Sequence, residues 1–194
     1  MSKQRLQVPR ATRSSLLDEF NHRCAVCGAD RPQVHHIDED PSNNDPSNLI
    51  PLCPNCHLVD QHNPTAPIDP RKLRLFRIHK DPTILKPQFH PLFTRMLFLD
   101  SIDDQEPVKD IENQATELVE FVRSLAMGSF YGARLHDMLR RKHGMIVNRS
   151  LHRPDPTAEQ QMRDYSRTYR EQVRGARDNV HTLIIELLRY QDWK

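Results

Sequence analysis

All four cysteines of this 194-residue chain fall between positions 24 and 56, as two Cys-x-x-Cys pairs, Cys24/Cys27 and Cys53/Cys56. No other feature restricts the fold as strongly. Each pair places two thiolates about a tight turn, and two such turns brought together give a tetrahedral sulphur cage for a structural zinc ion. Residues 28–52 separate the pairs, a span somewhat longer than the usual zinc-ribbon spacing and long enough for two strands and a loop. Two disulfides or two redox-active pairs are the competing readings. Disulfides are disfavoured because the N-terminal MSKQRLQVPR lacks the apolar core of a secretory signal and the chain is long enough to fold without them. Redox pairs are disfavoured because no βαβ pattern surrounds them.

A closed cage of four sulphurs needs no further donor, so the histidines among the cysteines require a separate account. Val34-His35-His36-Ile37 reads as a short strand, in which neighbouring side chains point to opposite sides. His35 and His36 are therefore expected to have different partners. His57 directly follows Cys56, where the second knuckle should turn into a helix over Leu58–Gln61, and Asn48-Leu49-Ile50-Pro51-Leu52 leads into that knuckle.

Taken in order, Cys-x-x-Cys, His-His-Ile and Asn-Leu-x-x-Leu-Cys-x-x-Cys-His resemble the zinc-containing branch of the HNH endonucleases, over about residues 11–65. The resemblance implies a strand–strand–helix unit, the ββα-metal fold, acting on DNA. By position, His35 and His57 are similar to the ligands of a catalytic Mg2+ or Mn2+, His36 to the general base and Asn48 to the asparagine that braces the loop and orients that base. Cys24, Cys27, Cys53 and Cys56 would hold a separate structural Zn2+. The implied reaction is attack of water on a phosphodiester, leaving 5′-phosphate and 3′-hydroxyl ends. The chain departs from the family pattern in its acidic loop, residues 38–46, where glycines are common. Its carboxylates are expected to be solvated rather than to join the metal. Gln61 stands where relatives carry a further histidine, with His62 beside it as a weaker candidate for touching metal or phosphate. The alternative is a catalytically inactive, zinc-stabilised nucleic-acid-binding or adaptor module, but zinc alone requires none of His35, His36, Asn48 and His57.

The net charge of +2 says little, but its distribution says more. Residues 71–80 carry Arg71, Lys72, Arg74, Arg77 and Lys80 with no acid, and are read as a DNA-phosphate contact following the metal module. Residues 100–120 hold eight acids against Lys109, whereas residues 134–178 hold eleven Arg/Lys against six Asp/Glu and are read as a solvated helical face. No apolar run approaches the roughly 20 residues that cross a bilayer. Reduced thiols and the absent signal point to the cytoplasm.

The expected fold class is α+β and mostly helical: a small ββα-metal zinc module plus a C-terminal helical region. Residues 1–10 read as a basic tail and 11–80 as the module with flanking helices. Its first helix, 11–22, is expected to bury Leu16, Leu17 and Phe20 behind a Ser14 or Ser15 cap. A linker with a short apolar helix fills 81–107, and helices follow over 108–194. Ile111, Ala115, Leu118, Val119, Val122, Leu125 and Ala126 form an apolar stripe that Gly128 should end, and a second helix is expected from Tyr131 to Lys142. The last helix, about 156–190 with a weak break at Gly175, carries a near-heptad stripe from Met162 to Leu187. That stripe packs within the chain or, alternatively, pairs with a second copy or a protein partner.

Overall fold

The computed structural model describes residues 6–61, 68–141 and 156–191. The chain is α+β and mostly helical, with a two-stranded antiparallel sheet, and it divides into two compact units, residues 1–86 and 87–194.

The first unit is built on a hairpin. Strand β1 (Gln33–His36) pairs with β2 (Leu49–Leu52), His35 opposite Ile50 and His36 opposite Leu49. All four residues of β2 are buried. Helix α1 (Arg10–Glu19) packs on β2 through buried Leu16, with Leu17 and Phe20 half-buried. Its first turn follows Pro9, with no side-chain cap; Ser14 and Ser15, the expected caps, lie inside the helix because it begins a turn earlier. After the second knuckle, Asn55–Gln61 wind as a π-type helix, starting three residues before the expected Leu58. Helix α2 (Pro70–His79) has the expected start, with the Asp69 carboxylate accepting from the Arg71 N–H and Pro70 in the first turn. It ends at Lys80 in the left-handed region (φ 52°) and buries Leu73, Leu75 and Phe76.

The second unit is a helical assembly comprising α3 (His90–Met96), α4 (Phe98–Ser101), α5 (Val108–Arg123), α6 (Gly128–Leu139) and α7 (Pro156–Leu188). The division falls at residue 86/87, within the stretch 81–107 read as a linker with a short apolar helix. The apolar residues of that stretch form α3 and α4, with Phe89, Leu92, Phe93, Met96, Phe98, Leu99 and Ile102 buried and α3 packed against α5. The stripe is buried from Ile111 to Val122 as its period requires, but the helix ends at Arg123, leaving Leu125 half-buried and Ala126 exposed beyond it. Gly128 opens α6 instead of merely closing α5: the chain turns through Met127 (φ 60°), and a Cβ at Gly128 would stand 2.3 Å from the Val122 carbonyl oxygen. The α6 helix accordingly starts three residues earlier than expected and ends at Leu139.

Helix α7 runs unbroken through Gly175 and packs within the unit against α6, α5 and α4, burying Tyr169, Val173, Val180, Leu183, Ile184 and Leu187. Met162, placed on the apolar stripe by its spacing, is exposed. The alternating charge blocks meet inside this unit. Arg174 pairs with Asp104 at 2.8 Å and reaches the Ile102 carbonyl, Arg177 pairs with Asp100 at 3.4 Å, and Arg141 pairs with Glu112. Part of the basic block from 134 to 178 is therefore an internal counter-charge to the acidic block before it.

Candidate functional site

The two knuckles are shaped by their own backbones. In the first, the Gly28 N–H donates to the Cys24 carbonyl at 2.9 Å and the Cys24 N–H to the Ala29 carbonyl at 2.8 Å, a closure that puts Gly28 at φ 74°. A left-handed residue at a turn is what glycine supplies without steric penalty. In the second, the His57 N–H donates to the Cys53 carbonyl at 2.9 Å, and the Cys56 N–H points at the Cys53 sulphur at 3.4 Å. The Ala25 N–H donates to the Pro51 carbonyl at 2.8 Å and ties the first knuckle to β2.

These turns bring the Sγ atoms of Cys24, Cys27, Cys53 and Cys56 all within 4.8 Å of one another, with Cys27 and Cys53 at 3.5 Å. All four are free thiols, not disulfides. Zinc bonded tetrahedrally at about 2.3 Å sets its sulphurs about 3.8 Å apart, so the donor set and its spacing fit that ion. The Cys56 N–H pulls the Cys53 thiol down to about 7, whereas burial pushes the Cys56 thiol up. Four thiolates so close cannot ionise together without a positive charge among them. The cluster can hold a structural zinc ion, and among the described residues it is the group of three or more such donors close enough to share one.

Two imidazoles lie on β1 and the third in the π-type helix after β2. His35 is buried on β1, and His57 is half-buried on the turn after Cys56; their ring centroids are 4.9 Å apart with planes at 65°. His36, the next residue of the strand, is half-buried and has a different neighbour, as strand alternation requires: its Nε2 lies 3.0 Å from Asn44 Oδ1. His62 lies outside the described residues.

Asn48 is buried at the end of the loop that joins the strands, and its amide closes that loop. Nδ2 donates to Asp38 Oδ1 at 2.8 Å and to the Asn43 carbonyl at 3.1 Å, while Oδ1 accepts from the Asp38 N–H at 3.1 Å. Three of the four loop acids are engaged in its turns. Asp38 accepts from the Asp40 N–H, Asp40 from the Ser42 N–H and Asp45 from the Ser47 N–H. Burial would raise the Asp38 carboxyl, yet the Asn48 amide, the Asp40 N–H and the Asn43 amide hold it below its ordinary range. Asn48 therefore braces the loop, but the side chain that touches His36 is Asn44. Nothing in the local sequence marks Asn44 for that contact, because it depends on the path of the whole loop.

The α2 cations are placed unevenly. Arg77 is engaged within the unit: its guanidinium grips both Glu19 oxygens at 2.8 and 2.7 Å and donates to the Leu49 carbonyl at 3.0 Å. Lys80 also pairs with Glu19 at 2.6 Å, and Arg71 pairs with Asp69 at 2.8 Å. Lys72 is half-buried, and burial lowers its pKa; Arg74 is exposed. The sequence could not reveal Glu19 as a partner, since it lies 58 residues from Arg77. Among the described residues, no helix is long and apolar enough to cross a membrane. Searches against protein-family models, characterised proteins and solved structures find no match to this chain.

Proposed function

We propose that this chain is a metal-dependent endonuclease of the HNH type that hydrolyses phosphodiester bonds in DNA. The observation that carries the reading is the 4.9 Å approach of the His35 and His57 rings on a hairpin whose neighbouring cysteines can hold zinc. Two imidazoles that share one ion at about 2.1 Å from each nitrogen have ring centroids roughly 5 Å apart, so the pair suits a common cation. A second zinc ligand set would bring more protein donors; two leave positions for water and substrate. The bound divalent ion, Mg2+ or Mn2+, would supply the positive charge that offsets the charge growing on the scissile phosphate and its departing oxygen.

The chain's own residues do the rest. His36 takes a proton from water, whose oxygen forms the new bond to phosphorus as the bond to the 3′-oxygen breaks, and that oxygen takes up a proton from solvent to leave as the 3′-hydroxyl. An imidazole suits this step because one ring nitrogen can accept a proton while the other keeps its hydrogen. Asn48 keeps the loop beside His36 in one conformation through its hydrogen bonds to Asp38 and Asn43. Arg74, exposed on α2, is the proposed phosphate contact there, with Lys72 and the paired Arg71 and Lys80 as weaker contributors and Arg77 mainly structural.

The test is a plasmid-cleavage assay on zinc-loaded protein with and without added Mg2+ or Mn2+. Wild type should cleave only with the added ion, and His36→Ala should lose at least about a hundredfold while keeping its zinc and fold. Zinc-loaded wild type that cleaves with neither ion, or a His36→Ala variant as fast as wild type, removes the proposal.

A further inference from the structure

Resting on the reading of His36 as the base, we infer that Asn44 is a positioning residue that fixes which His36 nitrogen is free to accept a proton, and that the segment at Leu6–Gln7 holds Asn44 in place. Asn44 Nδ2 faces the backbone carbonyl oxygen of Gln7 at 3.4 Å. A carbonyl oxygen has no proton to give, so the amide's NH2 end must lie on that side, and its Oδ1 on the other. That Oδ1 stands 3.0 Å from His36 Nε2. An amide oxygen only accepts, so Nε2 must carry the hydrogen, and in the neutral ring Nδ1 then holds the lone pair. Among the described residues no hydrogen bond to Nδ1 is seen, which leaves it available to a water molecule.

The arrangement is anchored from both sides. The Leu6 N–H donates to the Pro41 carbonyl at 3.2 Å, so the chain before α1 is strapped to the same loop. From within, the Asn48 amide holds the Asn43 carbonyl, and the Asn43 amide holds Asp38 Oδ2 at 2.7 Å. Asn44 therefore sits between two fixed neighbours, and its orientation passes to His36.

The experiment reads the ring directly. Long-range proton–nitrogen correlations on the 15N-labelled, zinc-loaded full chain, above the pH range where imidazoles are charged, should show His36 protonated on Nε2 and not on Nδ1, with the Nε2 hydrogen slowed in its exchange with water. Asn44→Leu should lose that slowed hydrogen and reduce cleavage roughly tenfold, with zinc content and the remaining amide spectrum unchanged. Asn44→Asp keeps an acceptor and should restore the slowed hydrogen. A wild-type ring protonated on Nδ1, or a slowed Nε2 hydrogen that survives in Asn44→Leu, overturns the inference. Should Asn44→Leu fail to fold, Asn44→Ala is read in its place, because a neutral imidazole favours Nε2–H even without a partner and only loss of the slowed hydrogen on removing the amide reports the contact. The expected tautomer together with undiminished cleavage by His36→Ala would sink the base reading while leaving the Asn44–His36 assignment standing.

Discussion

Two side chains in the first unit illustrate how single residues hold the hairpin that carries the imidazoles. Arg77 joins α2 to α1 and β2 at once, gripping Glu19 and the Leu49 carbonyl with its side chain only 13 % exposed. Replacing it by alanine leaves Glu19 to Lys80 alone and strands a buried carbonyl, and should lower stability by about 1–3 kcal/mol in denaturant melts. Lysine keeps the charge but not the fork, so Arg77→Lys should still lose about 1–2 kcal/mol. The hydrogen bond from Arg77, reinforced by Lys80, holds the Glu19 carboxyl below its ordinary value of 4.5. A depressed carboxylate stabilises the fold above its ordinary pKa, and that contribution fades as pH falls through the lower folded value. Melts between pH 5 and pH 3 (a window of about two units around the ordinary value) should therefore show a smaller acid loss in Glu19→Gln than in wild type. Asn48 makes a complementary case. Asn48→Asp has the same shape but turns a donor toward Asp38 and the Asn43 carbonyl into an acceptor. It should destabilise the first unit by about 2–3 kcal/mol, more than a lost surface contact would.

At the scale of elements, helix α7 offers the cleanest measurement. Gly175 sits exposed in its interior, and a Cβ there would meet nothing within 4 Å. Gly175→Ala should raise the stability of the second unit by about 1 kcal/mol, seen as a melting point a few degrees higher. The same change at Gly128, where a Cβ meets backbone oxygens at 2.3 and 2.6 Å, should destabilise instead. This contrast also marks what the sequence makes legible. The knuckles, the hairpin and the α5 stripe could be read because each follows from spacing along a short window: cysteines three apart, a strand of period two, a helix of period 3.6. The fate of Arg77, the Asn44 contact and the burial of residues 89–102 could not. Glu19, Gln7 and the α5 face lie far away in the chain, and a local window assigns the same arginine equally well to solvent, phosphate or a distant carboxylate. The loop acids were half legible: turn-forming residues announced the turns, but not that Asp38, Asp40 and Asp45 would be taken up by their own backbone N–H groups.

For the whole molecule, the decisive asymmetry is that every cysteine lies in the first unit and each unit has its own apolar core. The first unit rests on a sheet of two four-residue strands and two ten-residue helices, α1 and α2. A two-stranded hairpin is marginal by itself, and units of this size commonly need a staple. The thiol cluster would supply it, since zinc there links a turn before β1 to a turn after β2. Metal binding to a site that exists only in the folded state is folding free energy, on the order of 10 kcal/mol for structural zinc. The second unit, with α5, α6 and α7 packed on one another, draws on no thiol. Stripping zinc with a strong chelator, or replacing Cys56 by serine, should therefore unfold one unit and spare the other. Residue-resolved hydrogen exchange would show it: amides of β1, β2 and α2 should lose protection while those of α5, α6 and α7 keep theirs. Protection in β1 and β2 that survives metal removal would mean that the apolar contacts of Leu49, Ile50, Leu52 and Phe76 suffice to hold the hairpin, and that the cysteine cluster is not what closes it.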